Sequence, residues 1–165
     1  MNKKIIFSLT LVLIMAIFCN AYSDELKLIG ENATIAETQK TFVERYIGII
    51  NSKEKESFEK IIHYSCLNWL KEHPDFFEEI LKTKFRHTIP EGYSISIKDI
   101  PDSDPLPFES SFTYPIRPTH LIMLTYKKKE SSSASIMIQA IEQNGEYFEI
   151  MPCPKQELLE KYKNK

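Results

Sequence analysis

The chain has 165 residues, of which 42% are hydrophobic and 27% are charged, proportions typical of a globular protein long enough for one domain and its core. The formal net charge is −2 at pH 7, which argues against nucleic-acid binding because that function needs clustered positive charge. With four glycines, the chain lacks the material for a phosphate-binding glycine loop, and it contains no Gly-x-Ser-x-Gly hydrolase elbow.

The first 21 residues have the three-part layout of a secretory signal peptide. Two lysines precede an apolar run over residues 5–18, and small side chains follow at Cys19 and Ala21. This layout predicts cleavage after Ala21 and a periplasmic or secreted mature protein, with residues 22–33 as a flexible lead-in. The apolar run is too short for a comfortable bilayer span, so we expect no stable membrane span after cleavage.

The alternative is a lipoprotein anchored through Cys19. Bacterial lipoproteins need a small residue just before the lipidated cysteine, whereas Phe18 is bulky. We therefore favour the cleaved signal peptide.

Cleavage would leave two cysteines, Cys66 and Cys153, in an oxidising compartment. This even number predicts a disulfide, which would close a loop of roughly 90 residues and contribute about 4 kcal/mol in the chain-entropy model. A metal site is the alternative, because His63 lies three residues before Cys66 on a predicted helix. One ligand would remain unassigned, so we favour the disulfide and expect no metal.

Three amphipathic helices are predicted in the first half of the mature chain. The first begins at a capping box over residues 34–37 and continues to about Asn51. Within it, Gly48 favours close approach of a neighbouring element. The second helix covers residues 53–71, and the third begins at Pro74, whose fixed backbone angle suits a first turn.

The pattern changes from helical to alternating after the third helix. Apolar side chains at positions 93, 95 and 97 predict a half-buried strand. Residues 101–118 hold five prolines and predict a long loop or edge segment. Residues 119–128 are apolar on both faces, which predicts a central strand. A short helix over residues 156–163 is predicted to end the chain.

A β-hairpin is predicted around Asn144-Gly145, which is the strongest short hairpin signal available. Its strands cover residues 135–142 and 146–151, and pairing Gln143 with Glu146 makes both faces largely apolar. Cys153 shares one of these faces. If the second helix packs on that face, the sulfurs of Cys66 and Cys153 can meet.

Gln139 and Glu149 are polar residues on otherwise apolar faces of the hairpin, where a buried polar group costs free energy unless it is paired. They either line a pocket and orient a ligand, or lie near the sheet rim in contact with water. We favour the rim. On the predicted central strand, His120 and Tyr126 complete the candidate ligand-binding set, since His120 could point into a pocket.

No catalytic residue is assigned. The histidines are the obvious candidates for acid–base chemistry, but no two are close in sequence and none lies in a catalytic pattern. The four positions are His63, His73, His87 and His120.

The proline-rich segment carries three aromatic side chains, Phe108, Phe112 and Tyr114. Two interpretations remain open for them. They form an exposed docking site for another protein, or they fold back over the mouth of the sheet as a lid.

The predicted helices are followed by a meander of antiparallel strands, which ends in Tyr-Phe-Glu-Ile-Met-Pro-Cys at residues 147–153. This order of elements resembles the NTF2-like superfamily of cystatin-like α+β cones. The resemblance covers residues 34–153 and rests on the order of elements. It implies a curved sheet that wraps a long first helix and leaves a pocket. The short strand pair usual between the second and third helices is missing, and no catalytic Asp or His of enzymatic members matches a position here.

The sequence thus predicts a signal peptide over residues 1–21 and a single α+β domain over residues 34–165. We expect N-terminal helices packed on a curved antiparallel sheet of about four strands, with a short C-terminal helix. The expected function is non-catalytic binding of a small apolar molecule or of an envelope or host protein, without a cofactor. The alternatives are a small isomerase or hydrolase with a carboxylate or histidine in its pocket, and a secreted interaction or virulence-associated protein.

Overall fold

The computed structural model describes residues 36–129 and 132–163. The predicted signal peptide and lead-in lie outside the described residues. Helices and an antiparallel sheet are both present, and a short C-terminal helix ends the described chain. The predicted α+β class is therefore confirmed.

The first helix, α1, covers Glu37–Ser52 and buries one face. Its N-terminal flanking residue is Ala36, whose N–H donates to Oε1 of Gln39 at 3.1 Å. The predicted capping box is therefore wrong: the helix begins at Glu37, and the glutamine three positions after the cap takes the role of closing its first turn. Close packing at Gly48 was also a wrong expectation, because no atom of a neighbouring element lies within 4 Å of a Cβ placed there. The buried residues of α1 are Phe42, Val43, Tyr46, Ile49 and Ile50.

The predicted second helix is two helices, α2 over Lys55–Glu59 and α3 over Tyr64–Glu72. Between them the backbone extends beside the last residue of the hairpin. Glu149 donates its N–H to the carbonyl of Ile61 at 2.7 Å, and His63 donates its N–H to the carbonyl of Glu149 at 3.0 Å. These two hydrogen bonds pair backbone groups at an otherwise open sheet edge. They stabilise the extended backbone relative to a continuous helix.

Helix α4 covers Pro74–Phe85, with Pro74 in its first turn as predicted. Asp75 lies in the first turn, and Lys82 and Lys84 lie in the last, so the charges complement the helix dipole. Phe77 and Leu81 are its buried residues. Asn51, at the end of α1, exchanges two hydrogen bonds with the backbone of Ile89 just after α4, at 2.8 and 2.9 Å.

The main sheet has four strands in the order β1-β3-β4-β5, and all three pairings are antiparallel. Strand β3 lies inside this sheet, and its residues 121–124 are all buried, which confirms the predicted central strand. In β1, half-buried isoleucines alternate with exposed side chains over residues 94–98, as predicted. The strands are β1 Ser94–Asp99, β3 His120–Lys129, β4 Ser132–Gln143 and β5 Glu146–Glu149.

The predicted hairpin joins β4 to β5 in the predicted register, with Gln143 opposite Glu146. Asn144 and Gly145 have φ angles of 54° and 82°, the left-handed conformation that a two-residue type I′ turn needs at both central positions. The asparagine and glycine therefore determine the register of the hairpin.

The proline-rich segment is mostly irregular, as predicted. Its one strand, β2 (Phe112–Thr113), pairs antiparallel with β6 (Cys153–Pro154), and helix α5 (Gln156–Lys163) follows. Among the described residues, no helix has the length and apolar character needed to cross a bilayer.

Cys66 on α3 and Cys153 on β6 are buried free thiols, so the predicted disulfide is not formed in this structure. Burial raises the pKa of Cys66 to about 11 and that of Cys153 to about 12, and Cys66 adds to the shift of Cys153. Because the thiolate is the reactive species, both thiols are held in an unreactive form. The Cys153 thiol instead donates to the carbonyl of Met151 at 3.8 Å.

Candidate ligand-binding cavity

A cavity of about 120 Å³ lies between α4, the middle of β4 and the segment that follows β5. Its wall is mainly apolar, with a small number of polar side chains, the composition usual for small-molecule sites. The lining residues are Phe76, Glu79, Ile80, Thr83, Lys84, Phe108, Phe112, Met137, Gln139, Glu149, Ile150, Met151 and Pro152.

Helical spacing explains the contribution of α4. Phe76, Ile80 and Lys84 are four residues apart and therefore share one face of the helix. Two apolar residues and one lysine thus point to the same cavity. The lysine at the end of this apolar stripe makes the site polar at one end.

Lys84 forms a buried ion pair with Glu149. Its Nζ lies 2.6 Å from Oε1 of Glu149, and the two side chains are 19% and 3% exposed. The same Nζ donates to Oη of Tyr46 at 3.0 Å, and Tyr46 is fully buried in the core behind the cavity. A carboxylate, an ammonium group and a phenol therefore meet at the boundary between cavity and core.

Burial and the mutual interactions of the three groups together determine their acid–base properties. It raises the pKa of Glu149 above its ordinary value, while Lys84 acts in the opposite direction. Burial alone would lower the pKa of Lys84, but the Glu149 carboxylate and Tyr46 together raise it. Burial, reinforced by Glu149, also raises the pKa of Tyr46. The ammonium and the phenol therefore stay protonated at neutral pH.

Glu149 keeps one carboxylate oxygen unused. Lys84 binds Oε1, whereas Oε2 is buried and has no hydrogen-bond partner among the described residues. A carboxylate oxygen without a donor in a buried site is costly, so this atom is available to a donor on a bound molecule.

Gln139 presents a second unused acceptor in the same cavity. Its Nε2 donates to Oη of Tyr114 at 3.0 Å, and its buried Oε1 has no partner among the described residues. Tyr114 donates its single hydroxyl proton to the carbonyl of Pro107, so it can only accept from Gln139. The amide orientation is thereby determined, and the oxygen, not the nitrogen, is left without a partner.

The proline-rich loop covers the cavity. Phe108 and Phe112 line it, with ring centroids 6.2 Å apart and planes at 68°. Tyr114 ties the loop to β4 through Gln139. The structure thus agrees with the lid interpretation of this loop and not with the exposed docking site.

The four sequence-predicted ligand residues do not all meet. Gln139 and Glu149 line the cavity and are 5% and 2% exposed, so the favoured rim position was wrong for both. His120 and Tyr126 are absent from its lining. A position on a central strand does not specify at which end of the sheet the side chain lies.

His120 and Tyr126 have other partners instead. The Nε2 atom of His120 lies 3.3 Å from the Asp99 carboxylate on the neighbouring strand. The hydroxyl of Tyr126 lies 2.6 Å from Nδ1 of His87. Burial, helped by nearby Arg86, lowers the pKa of His87 to about 4, so this histidine is neutral at pH 7 and its Nδ1 can accept a hydrogen bond from the Tyr126 hydroxyl.

His63 does not lie on a helical face with Cys66. It is the N-terminal flanking residue of α3, and its Nδ1 accepts from the N–H of Ser65 at 3.3 Å. Its other ring nitrogen lies 3.1 Å from Oε1 of Gln143. Within residues 36–129 and 132–163, no three His, Cys, Asp or Glu side chains are grouped to hold a metal ion.

Sequence reasoning missed Lys84 and Tyr46. One signal was available: Lys84 continues the four-residue spacing of Phe76 and Ile80, so a lysine stands on an apolar stripe, just as Glu149 stands on an apolar strand face. Opposite charges on two apolar faces indicate that the faces pack together. Tyr46 gave no such signal, because a tyrosine on an apolar helix face is ordinary core.

Comparison with protein families, with curated proteins and with solved structures gives no match to this chain.

Proposed function

We propose that this protein is an exported, non-catalytic binding module that holds a small, mainly apolar molecule in the cavity between α4 and the sheet. The observation that carries the proposal is an apolar cavity of about 120 Å³ that also contains buried polar groups. An apolar protein cavity of about 150 Å³ accommodates benzene. A ligand with one ring or a short alkyl chain is therefore the right size.

Export and fold family belong to the same proposal. The signal-like residues 1–21 support export. Helices followed by a meander, with sheet order β1-β3-β4-β5, support the NTF2-like resemblance, in which a sheet and helices enclose a pocket. In an envelope or extracellular setting, a small binding module would capture its ligand outside the cytoplasm.

A small enzyme is the second candidate, and one observation favours it. Glu149 is a buried carboxylate in the cavity with a raised pKa and an unused oxygen, which are properties of a general base. Binding is favoured over catalysis because the other oxygen is held by Lys84 at 2.6 Å, and this pairing opposes proton uptake. An enzyme would lose turnover in Glu149→Asp while retaining binding.

The protein-interaction alternative is less well supported. It relied on an exposed aromatic loop, whereas Phe108 and Phe112 lie in the cavity wall. Both side chains are half-buried. A partner that uses this loop would have to displace it from the cavity first.

Methyl NMR with benzene as the probe tests the proposed function. We expect saturable shifts of the methyl groups of Ile80, Met137, Ile150 and Met151, which line the cavity. Thr83 is half-buried in the cavity wall, so Thr83→Phe places a ring inside. That variant should bind benzene at least about tenfold more weakly, because the occupied volume is lost.

Thr88→Phe is the matched control, since Thr88 is exposed and outside the cavity. It adds the same ring without filling the site and should bind benzene like the wild type. Absence of saturable shifts in the wild type, or equal binding by Thr83→Phe and Thr88→Phe, would contradict the proposed function.

A further inference from the structure

The two unused acceptors are the least explained groups of the cavity. Oε2 of Glu149 and Oε1 of Gln139 are both buried, both lack partners among the described residues, and both belong to side chains in the cavity wall. Buried polar groups in folded proteins are normally paired, so two exceptions in one cavity require a cause. A bound molecule that supplies the donor is the simplest physical cause.

The two side-chain nitrogen donors of the cavity wall already have partners. Lys84 uses two of its three N–H groups on Glu149 and Tyr46. The Gln139 amide nitrogen is used on Tyr114. A ligand group that only accepts hydrogen bonds would therefore face two acceptors, and an anionic group would also meet the charge of Glu149.

The charges of the lining residues also disfavour an anionic ligand group. Lys84 and Glu149 neutralise each other across 2.6 Å. Glu79 also lines the cavity, with its carboxylate partly exposed and paired with Lys82 at 2.7 Å. Counted over the lining alone, one cation faces two anions, so the site disfavours a carboxylate or phosphate head.

We propose that the ligand has an apolar body and one O–H or N–H donor, which bonds to Glu149 Oε2 or Gln139 Oε1. This inference rests on the proposed function, because it specifies the chemistry of the molecule bound in the cavity. The apolar wall recognises the body, and the two oxygens select for an alcohol or amine head. A site built to accept a donor rejects analogues that lack it far more strongly than an apolar wall rejects a change of shape.

Four probes of similar size test the inference: pentan-1-ol, pentan-1-amine, butyl methyl ether and butanoate. Their dissociation constants are measured from the shifts of the lining methyl groups. We expect the alcohol or the amine to bind at least about tenfold more tightly than the ether, which has the same atoms as the alcohol but no donor. Butanoate should bind most weakly.

Glu149→Gln should weaken this preference most, because it turns one of the two acceptors into a donor. The Lys84 ammonium can only donate, so the new amide must turn its oxygen to Lys84 and its nitrogen to the position of Oε2. The affinity for the ether, relative to that for the alcohol, should then be higher than in the wild type. Gln139→Leu should reduce the alcohol preference to a smaller extent, and Glu146→Gln, at an exposed position of the same hairpin, should leave it unchanged.

The outcomes separate the two proposals. Equal binding of alcohol and ether by the wild type, or tightest binding of butanoate, overturns the donor inference and leaves the proposed function standing. No binding of any of the four probes overturns both. If Glu149→Gln fails to fold, the wild-type series and Gln139→Leu still decide the question.

Discussion

The aromatic core and the cavity lie on either side of Lys84, and they differ in how they treat buried groups. In the core, Tyr46 and Phe58 have ring centroids 6.4 Å apart, and Phe58 and Phe85 lie 5.7 Å apart in edge-to-face geometry. Phe58 is fully buried. In the cavity, space remains and two acceptors lack partners. From this contrast we expect stability to depend mainly on the first region and ligand binding on the second.

Two phenylalanine truncations test this division first. Phe58→Ala should lower the free energy of unfolding by about 3–5 kcal/mol, because it removes a fully buried ring from the core. Phe112→Ala, which removes a half-buried ring from the cavity wall, should cost markedly less stability while weakening binding of the probe molecules. Chemical denaturation and methyl NMR titration measure the two effects. Equal losses of stability would remove the distinction between core and cavity.

The buried ion pair provides the next test. Lys84→Met leaves the Glu149 carboxylate buried without its cation and should destabilise the fold by about 3–5 kcal/mol. Lys55→Met is the matched control, because Lys55 and Glu78 are also 2.6 Å apart but are 45% and 52% exposed. Solvent screens that pair, so its loss should have a much smaller effect in the same denaturation experiment.

A second variant separates charge from packing. Adding Glu149→Leu to Lys84→Met removes both charges and should recover a large part of the lost stability. If the double variant is no more stable than Lys84→Met alone, the cost comes from lost packing of the lysine side chain and not from the unpaired carboxylate.

His87 introduces a pH dependence on the core side. Its folded pKa, about 4, lies below the ordinary value of 6.5, so its contribution to stability is complete above pH 6.5 and is lost as the pH falls towards 4. The expected loss is about 1–2 kcal/mol after allowance for partial exposure to solvent. The contribution of Glu149 to stability has the opposite pH dependence. Because its pKa is raised in the folded state, protonation at lower pH favours the folded state.

His87→Gln isolates the histidine contribution. The amide oxygen can still accept from Tyr126 but does not titrate. Unfolding free energies measured between pH 7 and pH 4 should therefore fall less steeply in the variant than in the wild type. Parallel curves would show that His87 does not control the acid sensitivity.

Two glycine substitutions provide the smallest effects and lie outside both regions. Gly145→Ala should destabilise by about 1–2 kcal/mol, because its φ of 82° strains any side chain. Gly48→Ala should stabilise by up to about 1 kcal/mol, since it lies in α1 with no atom of a neighbouring element within 4 Å of a Cβ placed there. Neither should alter probe binding in the cavity. The same sign of change for both would contradict the backbone argument.

Local patterns predicted the elements whose partners are close in sequence. The Asn144-Gly145 turn determined the hairpin register, and Pro74 marked the start of α4. The break between α2 and α3 could not be predicted, because it depends on backbone bonds to Glu149. That partner is nearly ninety residues away, and helical periodicity carries no information about it.

The candidate site was predicted only in part for the same reason. Gln139 and Glu149 were recognisable as polar residues on apolar faces, but their burial depends on α4 and the proline-rich loop covering them. Sequence pattern placed His120 and Tyr126 with them, yet each found a partner elsewhere. A strand pattern identifies a face, whereas a cavity is formed by elements that converge from several parts of the chain.

An intermolecular NOE experiment on the protein with bound pentan-1-ol tests ligand binding in the cavity directly. We expect NOEs from the alkyl chain to the methyl groups of Ile80, Met137 and Ile150, with the hydroxyl end nearest Glu149 and Gln139. NOEs to another surface, or an alcohol bound with its hydroxyl directed away from both acceptors, would contradict this expectation.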